Sequence, residues 1–357
     1  MHGEQHTTGA PVLVGPGRLD LTPEEAAQVH DLVDTLRTTH GAADSSAFLR
    51  DVAVAGGQLP ARLRRFLTEL RTAEQHATCV ISGFQVDDAS IGPTPAGWSQ
   101  QPDRRTTLAE EMWLVLCATA LGDVFGWATQ QEGALVHDIC PAPGFEHSQL
   151  GSGSTELLWW HTEEAFHPLK CDYLGLFCLR NDARVPTTFA TVENLHLDEA
   201  TREVLFEPRF VIRPDDSHLE QTHGSSTATG RTAVLLDAAR RRVREMNERP
   251  FPVAVLSGDP SSPYLSIDPF YMRVPEDDPV AAEALRRICA AIDGSLQEVA
   301  LAPGEILFID NFRAVHGRRP FQARYDGRDR WLKRVNITRD LRKSRAFRHH
   351  SDSRIIY

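Results

Sequence analysis

Trp159-Trp160-His161-Thr162-Glu163-Glu164-Ala165-Phe166-His167 decides how the rest of this chain is read. In an extended backbone, side chains two apart lie on one side of the strand, so His161 and Glu163 can reach a single metal ion together. An imidazole and a carboxylate at that spacing supply two of the three protein ligands of a facial iron site. The same His-x-acid pattern occurs at His2-Gly3-Glu4, His196-Leu197-Asp198 and His350-Ser351-Asp352. Spacing alone therefore selects nothing, and the neighbouring sequence has to.

Downstream, short β-rich runs separated by Gly, Pro, Asn and Asp predict strands over 171–180, 187–192, 209–213, 251–256, 264–268, 304–310 and 331–339, after earlier ones at 80–84 and 136–140. The run from Gly304 to Asn311 reads as a buried strand and turn, and His316 then opens the next extended run as a third ligand. Taken without the first motif, His316 reads rather as a structural histidine satisfied by the backbone. Arg330 follows in a stretch rich in Arg and aromatic residues. A guanidinium buried in a barrel needs an anion, either a small dicarboxylate gripped in a bidentate fashion or a salt-bridge partner. Thr187 and Thr188 lie on a strand-like run where a hydroxyl can support the same carboxylate.

Upstream the chain is helical. Thr22-Pro23-Glu24-Glu25 reads as a capping box with proline in the first turn, ahead of Val29, Leu32, Val33 and Leu36 at helical spacing. Leu63, Phe66, Leu67 and Leu70 predict a second helix after Pro60, 108–124 a longer apolar one, and 279–297 one inserted among the strands. Residues 1–20 are expected to form a flexible arm, 215–231 a polar lid loop, and the basic stretch 339–354 a solvated, weakly ordered end. The architecture expected is α+β, mainly β. A single domain spans 21–357, with a helical flank over about 21–125 and an antiparallel barrel or sandwich over about 126–340.

A formal charge of −11 argues against a nucleic-acid partner, whose phosphates most of this surface would repel. A small solute is the partner expected, and the oligomeric state is left open. Six cysteines occur without a C-x-x-C pair, mostly in apolar runs, which suits reduced core residues in a cytoplasmic protein. No apolar run approaches the length of a membrane span, and the polar start carries no apolar leader.

In order along the chain, Gly122 to Gln131, Trp160 to Phe166, Asp172 to Leu176, Arg213 to Leu219, Phe308 to Asn311, Ala314 to Arg319 and Tyr325 to Asp340 together resemble the clavaminate-synthase-like iron(II)/2-oxoglutarate-dependent amino-acid hydroxylases, particularly the arginine hydroxylase type of viomycin assembly. The resemblance implies a distorted double-stranded β-helix, or jelly roll, with flanking helices. It implies Fe(II) held by His161, Glu163 and His316, with 2-oxoglutarate and O2 as cosubstrates. Arg330, helped by Thr188, then grips the distal carboxylate of 2-oxoglutarate. Arg334 clamps the α-carboxylate of a free amino acid, Gln130 and Glu163 lie near its α-amino group, and Asp268 and Asp215 read a guanidinium.

The viomycin-type pattern has a second acidic residue where this chain has Phe270. Arginine and a cyclised relative such as enduracididine both remain open as substrates, as do Cβ hydroxylation and desaturation, in antibiotic or other secondary metabolism. Two readings from other classes stand beside these. A zinc hydrolase would use the same His₂Glu set, though Arg330 and Arg334 would then lack an anion. A non-enzymatic barrel would bind a small ligand without turning it over.

Overall fold

The computed structural model describes residues 15–100, 103–219 and 228–357. Its larger sheet runs in the order Gly17–Asp20, Thr78–Ser82, Ile306–Asp310, Tyr173–Arg180, Trp331–Thr338, Asp123–Trp127 and Ile355–Ile356, with Val136–Ile139 also paired to Trp331–Thr338. A smaller antiparallel sheet runs Gln297–Val299, Thr187–Thr191, Ala314–Arg318 and Leu158–His161.

Side-chain alternation along each strand assigns residues to layers. In Tyr173–Arg180, Tyr173, Phe177 and Leu179 join an outer core with the helices. Leu174, Leu176 and Cys178 join an inner core shared with Phe189 and Ala314 of the smaller sheet. Ile306 and Phe308 divide from Leu307 and Ile309 in the same way. Apolar faces on both sides explain why these strands read as continuous hydrophobic runs.

The outer core is closed by helices Pro23–Thr39, Ser46–Ala55, Ala61–Thr72 and Leu108–Ala118, which contribute Val29, Phe48, Leu67 and Trp113. Thr22 caps the first helix by a reciprocal pair of hydrogen bonds with Glu25. Buried Lys333 bridges Glu111 of the Leu108–Ala118 helix and Asp138 at 2.8 and 2.6 Å, and Trp331 Nε1 donates to Asp138 at 2.7 Å. That ionic knot fastens the back of the strand whose front carries Leu332 and Arg334. On the far side of the smaller sheet, Trp160, Ala190 and Val315 pack against Leu205, Ile267, Ile288 and Ile292.

Four expectations differ from the structure. Gly17–Asp20 is not part of a flexible arm; it pairs in parallel with Thr78–Ser82, burying Leu19, while residues 1–14 of the expected arm lie outside the described residues. The apolar helix ends at Ala118 rather than 124, because Gly122 turns the chain where a Cβ would meet Thr338 O at 2.3 Å. The stretch 339–354 is tied down: Arg348 is buried, with Nη1 donating to Ser351 O and Ser353 O, and Ile355–Ile356 pairs with the Asp123–Trp127 strand. In the expected lid loop, Asp216–His218 forms a 3-10 turn and a helix, Gly230–Glu248, begins before the loop was expected to end. That helix buries only Ala239 and Val243, so its sequence carries little apolar periodicity. Residues 220–227 of the loop lie outside the described residues. Among the described residues no helix is long and apolar enough to cross a membrane.

Candidate active site

His161 ends the Leu158–His161 strand and is the cross-strand partner of His316 in Ala314–Arg318, with ring centroids 4.7 Å apart. Gly317 permits this approach, since a Cβ there would lie 2.5 Å from Leu158 O. Glu163 follows two residues past the end of the strand. Ligand atoms of His161, Glu163 and His316 all lie within 4.8 Å of one another, and among the described residues no other group of three His, Cys, Asp or Glu does so. Of the other His-x-acid pairs, Asp198 caps a helix through Thr201 N, and His350 pairs with Asp352 on the exposed surface. His2 and Glu4 lie outside the described residues.

His161 Nδ1 lies 2.8 Å from Trp159 O and donates to it, which leaves the Nε2 lone pair aimed at the site. Glu163 Oε2 lies 3.8 Å from His161 Nε2 and 3.4 Å from His316 Nε2. Two imidazoles and one carboxylate converging in a buried pocket fit the facial donor set of a non-haem iron and leave further coordination positions open. Burial opposes a charge on His161, but Glu163, Asp268 and the Trp159 carbonyl together outweigh it and move the pKa up to about 9. Burial likewise opposes ionised Glu163, and Arg334 with the two histidines outweighs it, holding the carboxyl well below its usual range. Burial moves His316 down.

The backbone here is held from outside the motif. Glu164 has φ 54°, a left-handed conformation costing a non-glycine residue about 1–3 kcal/mol, which persists only where neighbours enforce it. Asn311 is the enforcing neighbour. Its Oδ1 accepts from Glu163 N at 2.6 Å, and its Nδ2 donates to Glu163 O and Cys171 O, both at 3.0 Å. The sequence reading did not assign Asn311; its place directly after a buried strand was the available signal.

The site opens into a cavity of about 320 Å³. One end holds Arg330, Thr187 and Arg318. Arg330 Nη2 donates to Thr187 Oγ1 at 3.1 Å. Thr188, the residue expected in this role, is displaced from it by strand alternation: Thr187 pairs with Arg318 on the inner face, whereas Thr188 pairs with Gly317 and faces away. Arg318 was not foreseen. It is buried, it lines the cavity, and its two Nη atoms donate to the carbonyls of Ser154 and Glu156.

At the other end Arg334 Nη1 donates to Glu163 Oε1, and its Nη2 donates to Gln130 Oε1 at 3.1 Å and His137 Nδ1 at 2.8 Å. Gln130 Nε2 donates to Ser217 Oγ at 2.7 Å, so the Asp216–His218 turn is fastened to the same network. His218 in that turn shares a 2.7 Å hydrogen bond with Thr129, and its Nε2 lies 3.7 Å from Glu164 Oε1. Asp215 and Asp268 both line the cavity, and each also shapes its own turn. Asp215 Oδ1 accepts from Ser217 N, and Asp268 Oδ1 accepts from Phe270 N and Tyr271 N. Burial moves the Asp268 carboxyl up to about 6. Phe270 lines the cavity beside Asp268 and is 43% exposed.

Comparison with known proteins agrees with this geometry. The model of the family described as "Taurine catabolism dioxygenase TauD, TfdA family" matches residues 50–336. The chain is 45% identical over 339 residues to an enduracididine beta-hydroxylase of Streptomyces hygroscopicus, covering 95% of this chain and 99% of the relative. It is 43% identical over 341 residues to an L-ornithine/L-arginine 3-hydroxylase of Catenulispora acidiphila, with the same coverage. A crystal structure of the non-heme iron oxygenase OrfP in complex with Fe, succinate and (3S)-hydroxy-L-Arg superposes with a TM-score of 0.88 at 42% identity, over 95% of this chain and 99% of that one. A His161, Glu163 and His316 donor set lining a buried cavity, a family match over most of the chain and relatives matched along nearly their whole length lead to one conclusion: this chain belongs to the TauD/TfdA family of dioxygenases.

Proposed function

We propose that this protein is an iron(II)- and 2-oxoglutarate-dependent oxygenase that hydroxylates free L-arginine or a close guanidino amino acid at Cβ, in antibiotic or other secondary-metabolite biosynthesis. One observation carries the reading: a single cavity joins the His161, Glu163 and His316 donor set to buried cations at one end and carboxylates at the other. Iron bound there would supply the oxidising power, drawn from O2 and the decarboxylation of 2-oxoglutarate to succinate.

The protein's own residues bind, orient and exclude water. Arg330, assisted by Thr187, would hold the distal carboxylate of 2-oxoglutarate, which fits a buried guanidinium without a carboxylate partner among the described residues. Arg334 would exchange part of its present network for the substrate α-carboxylate, with Gln130 and Glu163 beside the α-amino group. Asp268 and Asp215 would face the guanidinium. A substrate anchored through Arg334, itself hydrogen-bonded to Glu163, would be held by its α-carboxylate beside the donor set, which would present Cβ for reaction. Phe270 presents an aromatic face where a planar guanidinium or its cyclised form can lie. That, with the enduracididine hydroxylase relative, keeps a cyclic guanidino amino acid as the second substrate.

We read the two packed sheets as a distorted double-stranded β-helix within one domain, in a protein whose unpaired cysteines suit the cytoplasm. The test is anaerobic purification, loading with Fe(II), and incubation with 2-oxoglutarate, oxygen and a panel of free amino acids, followed by mass spectrometry. Gain of one oxygen atom means hydroxylation and loss of two hydrogens means desaturation. Turnover independent of 2-oxoglutarate would overturn the reading.

A further inference from the structure

Arg318 and Arg330 are both buried, at 3% and 7% exposure, and both line the end of the cavity away from Asp268. Neither has a carboxylate partner among the described residues. Arg318 spends its Nη atoms on the carbonyls of Ser154 and Glu156 at 3.2 and 3.4 Å, and stacks over Phe321 at 5.0 Å. Arg330 spends one on Thr187. The Nε atoms of both are buried without a hydrogen-bond partner. Other buried cations are neutralised, Lys333 by Glu111 and Asp138 and Arg313 by Glu193, while Arg348, which rests on backbone carbonyls alone, stands singly near the chain's end rather than beside a second cation in the cavity. Two buried like charges without a carboxylate partner are costly, because a buried charge is tolerated only when paired.

We infer that Arg318 is a second, unassigned element of the anion site, setting the charge that a cosubstrate must carry at its distal end. Arg330 and Thr187 supply the directed hydrogen bonds. Arg318, turned toward the 154–156 carbonyls, supplies positive potential. It sits opposite Thr187 in the strand register, so its charge is fixed to the same inner face by the backbone of Ala314–Arg318. Burial moves the Arg330 pKa down to about 10, as expected of a cation that lacks an anion. A distal carboxylate answers two guanidinium groups at once, and an uncharged distal group answers neither.

The inference rests on the reading of this end of the cavity as the 2-oxoglutarate site, and the experiment separates the two. Fe(II)-loaded enzyme, kept free of oxygen, is titrated by calorimetry with 2-oxoglutarate and with its distal amide, 2-oxoglutaramate. The wild type is expected to prefer the dianion by on the order of 100-fold or more. Arg318→Gln should weaken 2-oxoglutarate about tenfold or more while changing the amide by less than about threefold, and Arg318→Lys should restore the preference. If Arg318 only props the 154–156 segment, Arg318→Gln weakens both ligands equally, and that result overturns the inference, as does an unchanged dianion affinity. Should the Gln variant fail to fold, Arg318→Lys carries the test alone: retained preference supports a charge role, and parallel loss of both ligands refutes it. A wild type that binds neither ligand overturns the cosubstrate reading and this inference with it.

Discussion

Arg334 Nη1 donates to Glu163 Oε1, while the other oxygen of the same carboxylate, Oε2, faces the two histidines. One carboxylate thereby couples the proposed metal to the proposed clamp for the substrate. Such outer partners commonly govern metal affinity by about 10–100-fold. Arg334→Gln is therefore expected to weaken Fe(II) binding within that range as well as raising the KM for the amino acid. Direct metal titration checks it, and unchanged metal affinity would show that the contact does not orient Glu163.

Asn311 holds the backbone of Glu163 on both sides and is fully buried. Asn311→Ala would strand the N–H and C=O of Glu163 and the C=O of Cys171 in the interior. A stability loss of about 2–4 kcal/mol is expected in denaturant unfolding, together with weaker metal binding. Loss of stability with metal affinity intact would confine Asn311 to a structural role.

Thr187 and Thr188 are chemically identical neighbours that strand alternation sends to opposite faces. Thr187→Val should raise the KM for 2-oxoglutarate by roughly fivefold to tenfold, the loss of one hydrogen bond. Thr188→Val should leave it unchanged. The reverse pattern would contradict the register.

Asp268 yields a pH dependence. Its carboxyl, raised to about 6 by burial, is neutral below that pH in the free protein, and a guanidinium binds the ionised form. Affinity for the guanidino amino acid should be steady above about pH 7 and fall as pH drops through 6, by up to about tenfold per unit. Asp268→Ala should abolish arginine turnover while leaving succinate formation without substrate intact. The stability effect has the opposite sign. A carboxyl whose folded pKa lies above its unfolded value costs stability once ionised, on the order of 3 kcal/mol above pH 6 and nothing below about pH 4. Asp268→Asn is accordingly expected to leave the melting temperature at pH 8 unchanged or higher, although its two backbone hydrogen bonds weaken.

Much of the architecture is legible in local patterns. The Thr22 capping box, the apolar strands at 173–180 and 306–310, and the helix after Asp278 depend on neighbours a few residues apart, and they form where the spacing predicts. The helices Ser46–Ala55 and Gly230–Glu248 escaped the reading. So did the anchoring of the basic end, because Ile355 and Ile356 form a strand only through the partner that Asp123–Trp127 provides.

For the site, the sequence by itself determined the residue types: a His-x-Glu pair, a distal histidine, and arginines that need anions. Several His-x-acid pairs, His218-Leu219-Glu220 among them, are equal in sequence, and only the pairing of Leu158–His161 with Ala314–Arg318 brings His161 to His316. Tertiary structure alone decided that Thr187 rather than Thr188 meets Arg330, that Arg318 shares that end of the cavity, and that Asn311 enforces the turn at Glu164. The physical reason is the period of a strand. Its side chains alternate faces at every residue, so a one-residue ambiguity in sequence becomes the whole thickness of the sheet, and only the strands on either side resolve it.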